Sequence, residues 1–304
     1  MQDENESMQE LEEIESQPKI KSDKKVLEIN NLSKSFHEVK ALVDVSFSVN
    51  EGEIVGIIGA NGSGKTTLFN CISGVLHPEK GEVLAKSIPS PTYSKYFKAI
   101  LRSHLLVRKS QLWNALYKGD EWANIVGLKP NMILNDFGVA RTFQIVRPFK
   151  FLTSIQNTTV PHVPKKLFSS PSSLKSAATR SLLEVDLGEK KNYPAVLLPH
   201  GDLKRLDFAR AHAANPKILL LDEPFSGLSA EDAFRVTQLI KNANREHNTT
   251  ILIVEHKLKL LKNLVERIIV FESGQIIASG TPEEISQNQR VIASYLGSEV
   301  SNIA

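Results

Sequence analysis

Residues 59–66 read Gly59-Ala60-Asn61-Gly62-Ser63-Gly64-Lys65-Thr66 and fit the pattern GxxxxGK[ST] at every position. Glycines let backbone N–H groups close on phosphate oxygens without interference from Cβ atoms. In such a loop the lysine reaches the β- and γ-phosphates, and the threonine hydroxyl coordinates Mg²⁺. The pattern therefore predicts a loop that binds a nucleoside polyphosphate, such as ATP, together with Mg²⁺.

The residues on either side of this loop strengthen that prediction. Residues 53–58 form a short apolar run that predicts a buried strand. After the loop, Leu68, Phe69 and Ile72 recur at helical spacing until Gly74, which can end a helix. A strand, a glycine loop and a helix in this order bring phosphate to the positive end of the helix dipole. A glycine-rich turn that binds nothing is the alternative.

The composition is that of an ordinary soluble globular protein. The chain has 304 residues, of which 41% are hydrophobic and 23% charged, and its formal net charge is +3. This charge is too small to indicate nucleic acid as a partner. The single cysteine, Cys71, excludes an internal disulfide. No apolar stretch approaches the roughly 18–20 residues that a membrane-spanning helix needs. The length suits one large α/β domain or two small ones.

Two segments are predicted to lie apart from a regular α/β core. Residues 1–17 contain seven acidic and no basic residues, and lysines follow. This composition predicts a disordered tail over residues 1–25, with docking as the alternative. Residues 86–135 are basic and aromatic with a loose helical stripe. They predict helices packed at the edge of the domain, with contact to a lipid surface or a partner as the alternative.

Apolar runs and helical patterns alternate along the rest of the chain. The alternation over Val43–Val49 predicts a half-buried strand in an antiparallel pair before the loop. Strand-like and helical segments then alternate, which predicts a mostly parallel sheet. The strand-like runs are Ile218–Leu221, Thr250–Val254 and Ile268–Phe271; helices are predicted near 174–187, 230–246 and 257–266, and a capping box at 281–284 opens a last helix.

Charged residues stand directly after two of the predicted strands. The run Ile218–Leu221 ends in Asp222 and Glu223, at the sheet edge where α/β proteins bind ligands. We expect Asp222 to hold Mg²⁺ through water and Glu223 to orient and polarise the attacking water. His256 follows the strand 250–254 and could hydrogen-bond a γ-phosphate. The alternatives are a solvated acidic pair and a structural histidine.

Six motifs occur in the order found in ABC-transporter ATPases, and the chain resembles that family from about Val26 to Gly297. They are the phosphate loop, Gln144 in Arg141-Thr142-Phe143-Gln144, Leu198-Pro199-His200-Gly201-Asp202, the Asp222-Glu223 strand, Ser226-Gly227-Leu228-Ser229 and His256. Three stretches are similar to the ATPase group of branched-chain amino acid importers: GVARTFQIVRPF, HNTTILIVEH and IIASGTPEEI…VIASYLG.

The resemblance implies the ABC ATPase fold. This is an α/β P-loop NTPase core with a mostly parallel sheet, an antiparallel β subdomain and an inserted α-helical subdomain. It implies one domain over residues 26–297, with the helical subdomain at 145–210 and a tail at 298–304. The longer span between Lys65 and Gln144 marks 86–135 as an elaboration that the resemblance does not explain.

The resemblance also implies roles for residues that face the chain's own nucleotide. Phe36 matches the aromatic residue that stacks on adenine, with a core aromatic as the alternative. The nucleotide contacts of the phosphate loop extend to Thr67. Gln144 matches the glutamine that senses Mg²⁺ and nucleotide and links the core to the helical subdomain. Residues 145–165 match the surface that receives a permease's coupling helix.

Residues 198–202 match the LSGGQ signature, which caps the γ-phosphate bound by an opposite subunit. Pro199, His200, Gly201 and Asp202 are then nucleotide contacts across a dimer interface, and Ser226–Ser229 matches the D-loop there. The sequence departs from the family pattern here, since only Gly201 and Leu198 keep the usual residue. Proline also lacks the N–H and hydroxyl that serine would offer. Ser229 replaces the usual aspartate. An LPYG-type signature is similar and typical of the branched-chain group.

The function implied is that of an ATPase subunit of an ABC importer for branched-chain or related amino acids. The implied partners are two transmembrane permease subunits, a second ABC ATPase and, indirectly, an extracytoplasmic solute-binding protein. The implied location is the cytoplasmic face of the membrane. Alternatives are another cargo such as urea, short amides or an exported lipid, a non-transport ABC protein, and a regulatory subunit that mainly binds nucleotide.

Overall fold

The computed structural model describes residues 22–86, 122–130, 133–162 and 171–295. The predictions for the N-terminal tail before residue 22, for the tail at 298–304 and for residues 87–121 lie outside the described residues. Among the described residues, no helix is both long and apolar enough to cross a bilayer.

Four strands form an antiparallel sheet in the order β2-β1-β4-β5. They are β1 (Lys25–Phe36), β2 (Val39–Asn50), β4 (Lys80–Lys86) and β5 (Trp122–Asn124). Strands β1 and β2 pair antiparallel, with Ile29 opposite Phe47, which confirms the predicted strand pair before the loop. Within the segment 86–135, for which helices are predicted, Trp122–Asn124 form a strand instead, because these residues pair with the free edge of β4.

The larger sheet has the order β10-β9-β3-β8-β7-β6 and holds the phosphate loop near its centre. Its strands are β3 (Ile54–Gly59), β6 (Val139–Arg141), β7 (Ile218–Asp222), β8 (Thr250–Val254), β9 (Arg267–Glu272) and β10 (Gln275–Gly280). Strands β6, β7, β8, β3 and β9 pair in parallel, and β10 pairs antiparallel with β9. The predicted parallel sheet is therefore confirmed.

Helices and short turns connect these strands. The helices are α1 (Lys65–Ile72), α2 (Ser154–Thr159), α3 (Pro171–Glu184), α4 (His200–His212), α5 (Ala230–His247), α6 (Leu258–Leu261), α7 (Pro282–Gln287) and α8 (Gln289–Tyr295). Single turns of 3₁₀-helix span Val160–His162 and Ala195–Leu197, and a π-turn spans Ile133–Phe137. The helix predicted over 257–266 ends at Leu261, because the chain turns there to enter β9 while Leu264 and Val265 stay buried.

The larger sheet is buried on both faces, which explains why its central strands are continuous apolar runs. Along β7, Leu219 and Leu221 pack in one cluster with residues of α4 and α5. Ile218 and Leu220 pack on the opposite face with residues of α1 and the antiparallel sheet. Since β3, β7 and β8 are adjacent and parallel, their carboxyl ends reach the same edge. This edge brings together the residues that follow each strand.

The capping box predicted at residues 281–284 is present at the start of α7. The Thr281 hydroxyl accepts a hydrogen bond from the backbone N–H of Glu284 at 3.3 Å, and the Glu284 carboxylate accepts one from the backbone N–H of Thr281 at 2.8 Å. Pro282 occupies the first helical turn, where its missing N–H costs nothing. Two backbone donors at the helix start are thereby satisfied.

We expect Thr281→Ala to lower the free energy of unfolding by about 1 kcal/mol, because the acceptor for the Glu284 N–H is lost. Thr281→Ser keeps that acceptor and is the matched control, expected to stay close to the parent chain. Urea unfolding followed by circular dichroism measures both. Equal stability of the alanine and serine variants would contradict a stabilising role for this cap.

Candidate nucleotide-binding site

The phosphate loop lies between β3 and α1 and encloses the side chain of its own lysine. The Lys65 ammonium donates hydrogen bonds to the carbonyl oxygens of Gly59 at 2.6 Å and Ala60 at 2.9 Å. Burial lowers the pKa of Lys65, while the nearby carboxylates of Glu223, Asp222 and Glu255 act in the opposite direction. The ammonium is thus held at the centre of the loop and surrounded by negative charge.

Two glycines of this loop adopt conformations that side chains disfavour. Gly64 has φ of 107°, and a Cβ there would lie 2.3 Å from the carbonyl oxygen of Ala41. Gly62 has φ of 80°, and its Cβ position has open space with no atom within 4 Å. Gly64 therefore permits close packing of the loop on β2, and Gly62 leaves the outer side of the loop open for a ligand.

Asp222 and Glu223 end β7 beside this loop. Asp222 is 1% exposed, and one of its carboxylate oxygens, Oδ2, accepts a hydrogen bond from Arg141 at 2.8 Å. Its other oxygen, Oδ1, is buried and has no hydrogen-bond partner among the described residues. Burial raises the pKa of Asp222, and the hydrogen bond from Arg141 opposes this rise. The unpartnered oxygen is therefore a donor atom available to a cation.

Glu223 is held in a conformation that few residues adopt. Its φ is 47°, in the left-handed region, and its N–H donates to the carbonyl of Val254 at 2.9 Å. The Gln144 amide donates to Oε2 of Glu223 at 2.8 Å. Unusual backbone conformations of this kind often occur at functional sites. The structure thus brings together Gln144 and Glu223, which are 79 residues apart in the sequence.

Arg141 is a site residue that sequence reasoning missed. Besides its ion pair with Asp222, it donates to Oδ1 of Asn70 at 2.6 Å and to the Ser73 hydroxyl at 3.2 Å. The guanidinium lies 5.0 Å from the ring of Phe143. Burial lowers the pKa of Arg141, and Asp222 opposes that shift. Arg141 therefore joins β6 to β7 and to the end of α1. In the sequence, only its position three residues before Gln144 indicated a place in the candidate site.

The predicted magnesium ligands are oxygen donors of the kind that Mg²⁺ prefers. Thr66 is exposed in the first turn of α1, and Asp222 contributes its unpartnered buried oxygen. Gln144 is the third predicted ligand, and its amide nitrogen contacts Glu223. No group of three or more His, Cys, Asp or Glu residues in the described chain could hold a metal ion. Where Mg²⁺ binds together with phosphates, the protein usually supplies only a few of its ligands, so these residues fit the ion.

His256 lies two residues after the end of β8 and is partly exposed. Its backbone N–H donates to Oε2 of Glu255 at 3.3 Å, and its ring nitrogen Nδ1 lies 3.8 Å from the same oxygen. Glu255 is buried and also accepts the N–H of Phe225 at 3.2 Å. Burial raises the pKa of Glu255. Sequence reasoning missed Glu255, which connects the segment after β7 to the residue expected to contact the γ-phosphate.

Residues 199–202 form the N-terminal end of α4, next to the segment after β7. The ring nitrogen Nε2 of His200 lies 3.2 Å from the carbonyl of Ser226. Gly201 packs tightly, since a Cβ there would lie 2.6 Å from the Asp232 carboxylate. Asp202 is buried and pairs with Arg205 at 2.5 Å and with Lys190. Its side chain is engaged within the helical subdomain, so its nucleotide contact stays a prediction.

Phe36 lies at the end of β1 and is 42% exposed, with the Lys34 ammonium 5.4 Å from the ring centre. A core position is therefore excluded for this ring. Its predicted contact with adenine stays a prediction.

Ser229, in place of the usual aspartate, is the N-cap of α5, and its hydroxyl accepts the N–H of Asp232 at 3.1 Å.

Known protein families and individual relatives match this chain over most of its length. The family model for the ABC transporter matches residues 42–226, and that for the branched-chain amino acid ATP-binding cassette transporter matches residues 275–301. The high-affinity branched-chain amino acid transport ATP-binding protein LivG of Salmonella typhimurium is 34% identical over 285 residues, covering 90% of this chain and 98% of LivG. BraF of Pseudomonas aeruginosa, which carries the same description, is also 34% identical, with the same coverage.

A solved structure extends the likeness to three dimensions. The crystal structure of the ADP conformation of MJ1267, an ATP-binding cassette of an ABC transporter, superposes with a TM-score of 0.70 at 27% identity. The match covers 90% of this chain and 99% of MJ1267. The expected ABC ATPase fold is confirmed. The chain belongs to the ATP-binding subunits of ABC transporters, the ATPases that drive transport.

Proposed function

We propose that this chain hydrolyses ATP to drive an importer of branched-chain or related amino acids, bound to transmembrane permease subunits at the cytoplasmic face of the membrane. The observation that carries the cargo proposal is the match of residues 275–301 to the branched-chain family model. The names of LivG and BraF support the same cargo class. Urea, amides and exported lipids remain the competing cargoes.

Hydrolysis is assigned to the residues at the carboxyl edge of the larger sheet. Lys65 binds the β- and γ-phosphates, His256 hydrogen-bonds the γ-phosphate, and Glu223 takes a proton from the attacking water. Thr66, Asp222 and Gln144 would hold Mg²⁺, which when bound neutralises charge that develops on the phosphate oxygens. The adjacency of β3, β7 and β8 supports this assignment, because it delivers all three groups to one place.

The hydrogen bond from Gln144 to Glu223 indicates that Gln144 must move before Glu223 can act as the base. Oε2 of Glu223 accepts the Gln144 amide at 2.8 Å. A carboxylate oxygen that accepts this bond is less available to accept a proton from water. We infer that Gln144 leaves Glu223 as it turns to the metal and nucleotide, which readies the base only when substrate is bound.

The permease surface is assigned to the loop after Gln144 and its neighbours. Exposed apolar side chains occur in this loop and in the turn hydrogen-bonded to it, with Phe151 88% exposed, Ile145 70% and Leu197 67%. Apolar groups left exposed together are typical of protein interfaces. The buried Asn157 fixes the loop, accepting the N–H of Phe149 at 2.9 Å and donating to the carbonyls of Phe149, Leu152 and Thr153, each at 3.1 Å.

The other partners are proposed from the family pattern. Residues 199–202 would contact ATP bound by a second ABC ATPase, as a homo- or heterodimer. Two permeases and, indirectly, an extracytoplasmic solute-binding protein complete the assembly. His200, the first residue of α4, is exposed and lies beside Gly227, which supports an interface at this end of the helix.

We expect Glu223→Gln to lower ATP turnover by roughly 10²–10⁴, because the amide cannot accept the proton of the attacking water. ATP binding should be retained, since Lys65 and the phosphate loop are unchanged. Steady-state phosphate release and binding of a fluorescent ATP analogue measure the two properties. Glu246→Gln, on the exposed end of α5, is the matched control. Unchanged turnover in Glu223→Gln would contradict the assignment of Glu223 as the base.

We expect Phe151→Ser to weaken permease binding roughly thirtyfold and so to lower recovery of permease subunits when the tagged chain is purified from native membranes. The reason is that this ring would lose apolar burial worth roughly 2 kcal/mol at the interface. ATP binding by the isolated chain should not change. Phe234→Ser, at an exposed phenylalanine of α5, is the control. Mass spectrometry identifies the co-purified chains, and permeases retained in full by Phe151→Ser would refute this docking surface.

A further inference from the structure

Three side chains of α4 contact the chain segment that contains Gln144. The Lys204 ammonium donates to the Gln144 carbonyl at 3.1 Å, and the Asp207 carboxylate accepts the N–H of Phe143 at 3.4 Å. Arg210 donates to the Arg147 carbonyl at 3.1 Å. Residues three apart share one face of a helix. One face of α4 is therefore attached to the segment 143–147 at three points.

Lys204 makes an additional contact that the other two residues do not. Its ammonium also donates to the Glu223 carbonyl at 3.0 Å. It therefore joins the main chains of Gln144 and Glu223, whose side chains hydrogen-bond each other at 2.8 Å. This forms a closed ring of contacts around the proposed base. Lys204 is part of that ring but carries none of the proposed contacts to nucleotide.

Lys204 is buried, at 7% exposure, so its two carbonyl partners compensate for lost hydration of the ammonium. Burial lowers the pKa of Lys204, whereas Asp207, Glu255, Glu223 and Asp222 oppose this shift. A buried charge with fixed partners resists separation from them. Movement of α4 relative to Gln144 and Glu223 must therefore carry these residues along or break the contacts.

Lys204 is also close to the residues proposed to face the second subunit. Helix α4 begins at His200, so Lys204 lies about one turn along the helix. About one turn of α4 and the side chain of Lys204 thus connect residues 199–202 to the chain's own Gln144 and Glu223. In the proposed dimer, these two ends belong to different ATP sites.

We propose that Lys204 is a positioning residue that couples the two ATP sites of the dimer. When residues 199–202 engage ATP held by the opposite subunit, α4 shifts, and Lys204 transmits this shift to the main chains of Gln144 and Glu223. The base of one site then responds to occupancy of the other. This inference rests on the proposed dimeric function.

The test uses the complex purified from native membranes through the tagged chain. We expect the parent complex to hydrolyse ATP with a Hill coefficient above 1. Lys204→Met keeps the length of the side chain but removes its donors, so the Hill coefficient should fall to about 1 and kcat roughly tenfold or more. Affinity for a fluorescent ATP analogue should not change. Lys204→Arg should restore cooperativity, because a guanidinium can reach both carbonyls.

Lys175→Met, at an exposed lysine of α3, is the matched control. If Lys204→Met fails to fold, Lys204→Gln is the second variant; its side chain is shorter and uncharged, so it cannot hold both carbonyls and is expected to lose cooperativity as well. Full cooperativity in either folded variant would overturn the proposal, and so would a reduced kcat with an unchanged Hill coefficient. Assembly of the Glu223→Gln chain into an ATP-dependent dimer is measured separately. Absence of any such dimer, with a second copy of this chain and with another ABC ATPase, would refute the proposed function itself, together with the coupling.

Discussion

The buried ion pair between Arg141 and Asp222 joins the elements on which the site depends. Its 2.8 Å contact links β6 to β7, and Arg141 also reaches Asn70 and Ser73 at the end of α1. Removing one member of such a pair is strongly destabilising, because the other is left buried with an uncompensated charge. The pair therefore fixes the distance between the helix that follows the phosphate loop and the strand that presents the acidic residues.

Sequence patterns predicted those parts of the fold that depend on local signals. The phosphate loop has its own glycines, and the runs at β7 and β8 are continuous because their strands are buried on both faces. Polar residues within two positions of the ends of these strands marked Glu223 and His256 as candidate site residues. A similar local signal, threonine followed three residues later by glutamate, located the start of α7.

The predictions that failed, and the site residues that were missed, depend on distant contacts. Trp122–Asn124 carries no alternation long enough to indicate a strand and becomes one only by pairing with β4. The apolar spacing after Leu258 suggested a longer helix, but burial of Leu264 is achieved in a turn. Arg141 and Lys204 contact partners 81 and 60 residues away, respectively, and no spacing in the sequence reports such contacts.

Electrostatics explains why these missed residues matter together. Lys65, Arg141 and Lys204 are buried cations around Asp222, Glu223 and Glu255. Burial lowers the pKa of each cation and raises those of Asp222 and Glu255, so the charged form of every group depends on its neighbours. Arg141 donates to one carboxylate oxygen of Asp222, and Lys204 donates to the main-chain carbonyl of Glu223. These two cations thus stabilise the acidic residues through one oxygen of Asp222 and the main chain of Glu223. The second carboxylate oxygen of Asp222 has no hydrogen-bond partner among the described residues, as the proposed magnesium site requires.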